Sequence, residues 1–124
     1  MRQILIIDDD QQIRSLLKKI FKKEGFRTIE AQDGNEGIQK FREKGADLVI
    51  TDLVMPGKEG IETIIELKRE FPDVKIIAIS GGGHNVPDAY LDVAKFLGAI
   101  HTFRKPFIPT DLLAVVNQIF SSDP

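Results

Sequence analysis

The sequence predicts a doubly wound α/β domain: one five-stranded parallel sheet, strand order 2-1-3-4-5, with helices on both faces. Three observations carry this expectation. Strand-like and helix-like segments alternate from end to end, the strand-like runs are short and mostly apolar, and a polar residue closes each main run. Ile4-Leu5-Ile6-Ile7 leads into Asp8-Asp9-Asp10, and Leu48-Val49-Ile50-Thr51 into Asp52. Ile76-Ile77-Ala78-Ile79 leads into Ser80, and Thr102-Phe103-Arg104 into Lys105-Pro106. Apolar runs without alternation suit strands covered on both faces, and βα units in series imply right-handed crossovers and a parallel sheet.

The strands are expected at 3–8, 27–31, 47–51, 74–79 and 100–104. In the first helix Ile13, Leu16, Leu17, Ile20 and Phe21 share a face opposite Lys18, Lys19, Lys22 and Lys23, and Gly25 stops it. The second helix, about 34–44, has a thin apolar stripe at Ile38 and Phe41, and Gly34 and Gly37 lower its propensity. A third helix, about 58–71, carries Ile61, Ile64, Ile65, Leu67 and Phe71 and stops before Pro72. A fourth, about 87–97, follows Gly81-Gly82-Gly83 and carries Ala89, Tyr90, Val93, Ala94 and Leu97. The last, about 109–120, carries Leu112, Leu113, Val115, Val116, Ile119 and Phe120; residues 121–124 form a polar tail.

Composition narrows the function classes. The 124 residues make one domain, with no linker, repeat or low-complexity tract to mark a second. A net charge of −2 gives no basic surplus for nucleic acid, and the absence of cysteine removes disulfides, thiol catalysis and zinc–thiolate sites. With no membrane-length apolar stretch and no leader pattern, the expected location is cytoplasmic, with no membrane partner.

In strand order 2-1-3-4-5, ligands bind beyond the carboxyl ends of strands 1 and 3, where Asp8, Asp9 and Asp52 leave the sheet. Three converging carboxylates repel one another and call for a hard cation with oxygen ligands. Asp9 and Asp52 are candidate direct Mg2+ ligands, Asp8 binds directly or through water, and the backbone carbonyl of Val54 offers another oxygen. Lys105 adds a fixed cation able to pair with Asp52 or a phosphoryl oxygen, and Ser80 adds a hydroxyl. A carboxylate can act as the nucleophile in phosphoryl transfer, so the set reads as a magnesium-dependent phosphate site with an aspartate acceptor. Asp10 reads instead as a helix cap, the lysine run as a solvated face, and His84 and His101 as ordinary loop or surface residues.

Four pieces in order now point to a family: Ile6 to Asp10 (IIDDD), Val49 to Gly60 (VITDLVMPGKEG), Ile77 to Ser80 (IAIS) and Lys105 to Phe107 (KPF). With Met55-Pro56 after Asp52 and Gly60 eight residues beyond it, essentially the whole chain resembles the receiver domain of two-component response regulators, including the chemotaxis regulators. The resemblance implies a flavodoxin-like (βα)5 fold. It implies that Asp52 accepts a phosphoryl group from a histidine kinase or histidine phosphotransfer protein, that Asp8 and Asp9 hold Mg2+, and that Ser80 and Lys105 contact the phosphoryl oxygens. It also implies a cis Lys105-Pro106 bond.

The chain departs from the family pattern in the relay away from the site. The resemblance places an aromatic residue three positions before the lysine, and Thr102 stands there between His101 and Phe103. The stretch from Ser80 to Gly98 is about one helical turn longer than is usual in the family; its three glycines suggest a mobile loop before the fourth helix. Val54 and Gly82, at the positions that in the family flank the attacking water, offer it no hydrogen bond, which implies slow self-dephosphorylation. The expectation is a stand-alone receiver at 1–124 with no effector domain, monomeric when unphosphorylated. It would not be an enzyme beyond self-phosphorylation from a donor and slow self-dephosphorylation. Its output would pass through the fourth helix, fifth strand and fifth helix to a downstream effector protein. Two other classes compete: a hydrolase with Asp52 as nucleophile, which needs a second carboxylate where Val54 stands, and a flavin or nucleotide module, whose phosphate Asp8-Asp9-Asp10 would repel.

Overall fold

The computed structural model describes residues 2–54, 60–80 and 88–122, Asp88 by its backbone only. The elements alternate as the apolar pattern requires: β1 (Gln3–Ile7), α1 (Gln11–Lys23), β2 (Arg27–Ala31), α2 (Gly34–Lys44), β3 (Leu48–Asp52), α3 (Gly60–Glu70), β4 (Ile76–Ser80), α4 (Asp88–Phe96), β5 (His101–Arg104) and α5 (Pro109–Ser121). All neighbouring strands pair in parallel, in the order β2-β1-β3-β4-β5. The doubly wound expectation holds, with the switch point between β1 and β3.

Strand alternation sorts the core into two layers. Leu5, Ile7, Val49, Ile76 and Ala78 face α2, α3 and α4, meeting Ile38, Ile64, Leu67 and Ala94. Ile4, Ile6, Leu48, Ile50, Ile77 and Ile79 face α1 and α5, meeting Leu17, Phe21, Leu112, Val116 and Phe120. The even-numbered residues of β1 and β3 therefore share the α1/α5 face. Carried one step past the paired pattern, that parity puts Asp8 and Asp52 on the same side.

Local signals set the helix ends. The Asp10 carboxylate accepts the Gln12 N–H at 2.8 Å, so Asp10 caps α1 as expected. Asp33 caps α2 through the Glu36 N–H. Gly25 follows α1 with φ +87°, a conformation that favours glycine. Strand limits shift by one or two residues in β1, β3, β4 and β5, which starts at His101 rather than 100. β1 ends at Ile7, one residue before the expected end. β3 runs through Asp52 rather than stopping at Thr51, because Asp52 pairs with Ile79. β4 starts at Ile76 rather than 74, because Val74 N–H closes the Pro72-Asp73 turn onto the Phe71 carbonyl. The Lys105-Pro106 bond is cis. Met55-Pro56, Gly81 to Gly83, His84 and the last two residues of the polar tail lie outside the described residues.

Two glycines allow close packing, and they differ in what opposes them. A Cβ at Gly37 would lie 2.3 Å from Ile7 Cδ1 and 2.7 Å from its Cγ1, side-chain atoms of a fully buried residue. A Cβ at Gly60 would lie 2.1 Å from the Asp52 carbonyl oxygen and 2.6 Å from Leu53 Cα, both backbone atoms. Gly37→Ala should cost about 1 to 2 kcal/mol of unfolding free energy, since the helix propensity gained offsets only part of the repacking of Ile7. Gly60→Ala should cost about 3 kcal/mol or more in urea unfolding, because backbone cannot step aside. Equal effects would contradict this account of how α3 sits on β3.

Candidate functional site

The strand ends deliver the site. Ile7 pairs with Thr51, so Asp8 emerges beside Asp52, and β4 carries Ser80 one residue beyond the partner of Asp52. Ser80 pairs with Arg104, and the Lys105 N–H donates to the Ser80 carbonyl at 3.2 Å. Phe103 packs toward α1 and α5, so alternation puts Lys105 on the same face as Asp8 and Asp52. There its ammonium donates to Asp8 Oδ2 at 2.7 Å and Asp52 Oδ2 at 3.3 Å. Asp8 and Asp52 are buried, and Asp9 is exposed. The three carboxylates bring ligand oxygens within 4.8 Å of one another.

One cation between two buried carboxylates does not neutralise them. Burial, then repulsion from Asp8, outweighs the attraction of Lys105 and pushes Asp52 up to about 6. Burial likewise raises Asp8, against its bonds to Lys105 and to the Asp10 N–H. For Lys105, burial alone would favour the neutral amine, but Asp8 and Asp52 together hold its pKa above the usual lysine range.

The chemistry of this donor set, hard oxygens carrying uncompensated negative charge, fits Mg2+. Asp8, Asp9 and Asp52 would hold it, and it would supply charge neutralisation at a transferring phosphoryl group. Val54 joins the site through its N–H, which donates to Asp52 Oδ1 at 3.3 Å; its half-buried side chain packs against the α2/α3/α4 layer. Ser80 is buried at the end of β4, on the sheet face opposite to Lys105 by strand parity.

Sequence reasoning missed three supporting residues. Arg14 donates to the Asp8 carbonyl at 2.7 Å and lies 3.5 Å from Glu30, tying the loop after β1 to α1 and β2. Its signal was a charged residue beside the apolar face of α1. Thr51 is fully buried, and its hydroxyl donates to the Asp52 carbonyl at 3.0 Å. A hydroxyl inside an otherwise apolar strand marked it. Gly60 was noted only as a spacing; its N–H donates to the Leu53 carbonyl at 3.1 Å where α3 meets the backbone after Asp52.

The family profile described as "Response regulator receiver domain" matches residues 4–117. The chain belongs to the response regulator receiver family. This receiver domain is 35% identical over 108 residues to sporulation initiation phosphotransferase F of Bacillus subtilis, covering 85% of this chain and 82% of that protein. It is 34% identical over 119 residues to the chemotaxis protein CheY of Thermotoga maritima, covering 95% and 97%. Among solved structures, a CheY-like receiver domain protein from Methanospirillum hungatei superposes with a TM-score of 0.88 at 27% identity, covering 98% of this chain and 94% of that one. The response regulator TrrA of Thermotoga maritima, solved in complex with Mg2+–BeF, gives 0.81 at 33% identity, covering 96% and 99%. Receiver domains are modules of phosphorylation-controlled signalling in two-component systems, and the acidic cluster matches their Mg2+ pocket.

The raised Asp52 pKa fixes a sign. With a folded value near 6 and an ordinary value of 3.8, protonation of Asp52 favours the fold. That contribution is complete below pH 3.8 and lost as pH rises through about 6. In EDTA at pH 7, Asp52→Asn should therefore unfold with a free energy higher than wild type by on the order of 2 kcal/mol. The gap should close below pH 4, and Mg2+ should narrow it by stabilising only the wild type strongly. A variant no more stable than wild type at pH 7 would refute the electrostatic account.

Proposed function

We propose that this receiver domain is a switch in which Asp52 takes a phosphoryl group from a histidine kinase or histidine phosphotransfer protein in a Mg2+-dependent reaction. The observation that carries this is the Lys105 ammonium shared between two buried carboxylates, Asp8 and Asp52, with Asp9 completing the oxygen cluster. In the step, an Asp52 carboxylate oxygen bonds to phosphorus and the donor's P–N bond breaks, the electron pair leaving with the imidazole. Asp52 is mostly ionised at pH 7, as a nucleophile must be, and the Val54 N–H orients its other oxygen. Lys105 is held where it can pair with a phosphoryl oxygen once the acceptor is modified, and Ser80 supplies a hydroxyl to the same group. The Mg2+ bound in TrrA supports the metal assignment.

The signal leaves through α4, β5 and α5 to a downstream effector protein. Thr102 is half-buried and shares the Ser80 face of the sheet, and Arg104 follows it at the exposed end of β5. Tyr90, Val93 and Ile100 expose apolar surface nearby, and Phe96 is 89% exposed, a composition suited to a protein partner. No described helix is long and apolar enough to cross a membrane. The protein acts in the cytoplasm, is monomeric before phosphorylation, contacts no nucleic acid itself, and turns over only its own acyl phosphate.

Intact-mass measurement after incubation with acetyl phosphate and Mg2+ tests the assignment. A phosphoryl adduct should form on wild type, vanish in EDTA, and be absent from Asp52→Ala. No adduct on wild type, or an undiminished one on the variant, would sink it. Following adduct decay in the same assay should show a several-fold shorter lifetime for Val54→Asn, whose amide can hold the attacking water. An unchanged lifetime would remove Val54 from the account.

A further inference from the structure

The open edge of the sheet at β2 carries chemistry that the phosphoacceptor site does not use. β2 lies at one end of the strand order, and its residues from Arg27 to Glu30 are exposed or half-buried, whereas β3 and β4 are buried throughout. The Arg27 N–H donates inward to the Arg2 carbonyl at 2.9 Å, and the Ala31 carbonyl accepts inward from the Asp8 N–H. By parallel-strand alternation, the backbone groups of Thr28 and Glu30 face out of the sheet. Lys40 caps the Glu30 carbonyl. Thr28 presents an N–H and a carbonyl that no strand covers.

A groove between α1 and α2 follows this edge as two cavities of about 480 and 490 Å3 that share Lys18. They differ in charge. In the half nearer Asp8, Glu30 is neutralised by Arg14 at 3.5 Å and Lys18 at 3.6 Å, and Glu36 by Lys40 at 3.3 Å. The other half is lined by Lys18, Lys22, Arg27 and Lys44 beside Thr28, with no acidic residue in its wall. Lys22, Arg27 and Lys44 make no ion pair among the described residues. Among acids outside that wall, Asp47 accepts the Gln3 N–H and Glu43 the Gln39 amide. The C-terminal ends of α1 and α2 bring roughly half a negative charge each. Together with the shared Glu30 they still leave an excess of about two positive charges.

We propose that the β2 edge docks an extended acidic segment of a partner protein, added as a sixth strand with its carboxylates against Lys22, Arg27 and Lys44. Main-chain bonds to Thr28 give the segment its direction, and the cations select its charge. Five residues of β2 span about 17 Å at roughly 3.3 Å per residue, so a segment of about six residues suffices. The pairing is short because Lys40 already holds the Glu30 carbonyl, and charge supplies the larger share of recognition.

The probe is an acetylated, amidated hexapeptide of alternating Glu and Val, titrated into the 15N-labelled full chain at low salt. Its controls are the Lys/Val counterpart, a form N-methylated at every backbone nitrogen, and inorganic pyrophosphate. Chemical-shift changes should centre on Arg27 to Ile29, the Thr28 amide should gain protection from hydrogen exchange, and affinity should fall steeply with salt. Lys22→Glu/Arg27→Glu should weaken binding at least about tenfold, with Lys44→Gln as a milder variant should the double one fold poorly. The Lys/Val peptide should not bind, and the N-methylated form should bind at least about tenfold more weakly. An N-methylated peptide that binds equally well would overturn strand addition. Pyrophosphate displacing the peptide with equal affinity would make this a small-anion pocket instead, and absence of binding would end the proposal.

Discussion

Everything at the carboxyl end of this sheet depends on two buried carboxylates, Asp8 and Asp52, held side by side with a single ammonium between them. Neither is comfortable when ionised: desolvation raises both, Asp8 pushes Asp52 up further, Asp9 adds to Asp8, and Lys105 offsets only part of that cost. The metal-free domain therefore carries an electrostatic deficit at the place where a hard cation and a phosphoryl group are to be received. Such a site gains from every positive charge it admits, and so the fold needs to hold the acids rigidly in place.

Rigidity comes from anchoring the backbone that carries the carboxylates. Parallel register puts Asp8, Asp52 and Lys105 on one face by parity alone. The main chain around the acceptor is then fixed from several directions. Leu53 N–H donates to the Ile79 carbonyl, the Thr51 hydroxyl to the Asp52 carbonyl, and Gly60 N–H to Leu53. Arg14 holds the other carboxylate-bearing segment from beneath, through the Asp8 carbonyl. Closure of α3 onto β3 requires a residue without a Cβ, which gives Gly60 a structural meaning beyond its spacing from Asp52.

Most of this was legible in the sequence because strand ends announce themselves: an apolar run followed by Asp, Ser or Lys locates both the sheet and its chemistry. The strand order, the acidic trio, the cap at Asp10 and the cis bond at Lys105-Pro106 all follow the reading. What escaped was information carried by contacts between distant segments. Nothing local to Arg14 or Thr51 announces that their side chains donate to the Asp8 and Asp52 carbonyls. The Val54 N–H bond to Asp52 was likewise not announced by the sequence. The lysines of α1 read as a solvated face because a single helix cannot show that Lys18 and Lys22 converge with Arg27 and Lys44 across an open strand edge.

Lys105 and Mg2+ answer the same excess of negative charge. Calorimetric titration of Mg2+ into wild type and Lys105→Met at pH 8, where Asp52 is ionised, tests it most directly. The account predicts a single Mg2+ site in both, bound several-fold more tightly by the variant, because the competing ammonium is gone. Weaker binding by Lys105→Met, or no Mg2+ binding by the wild type, would contradict it.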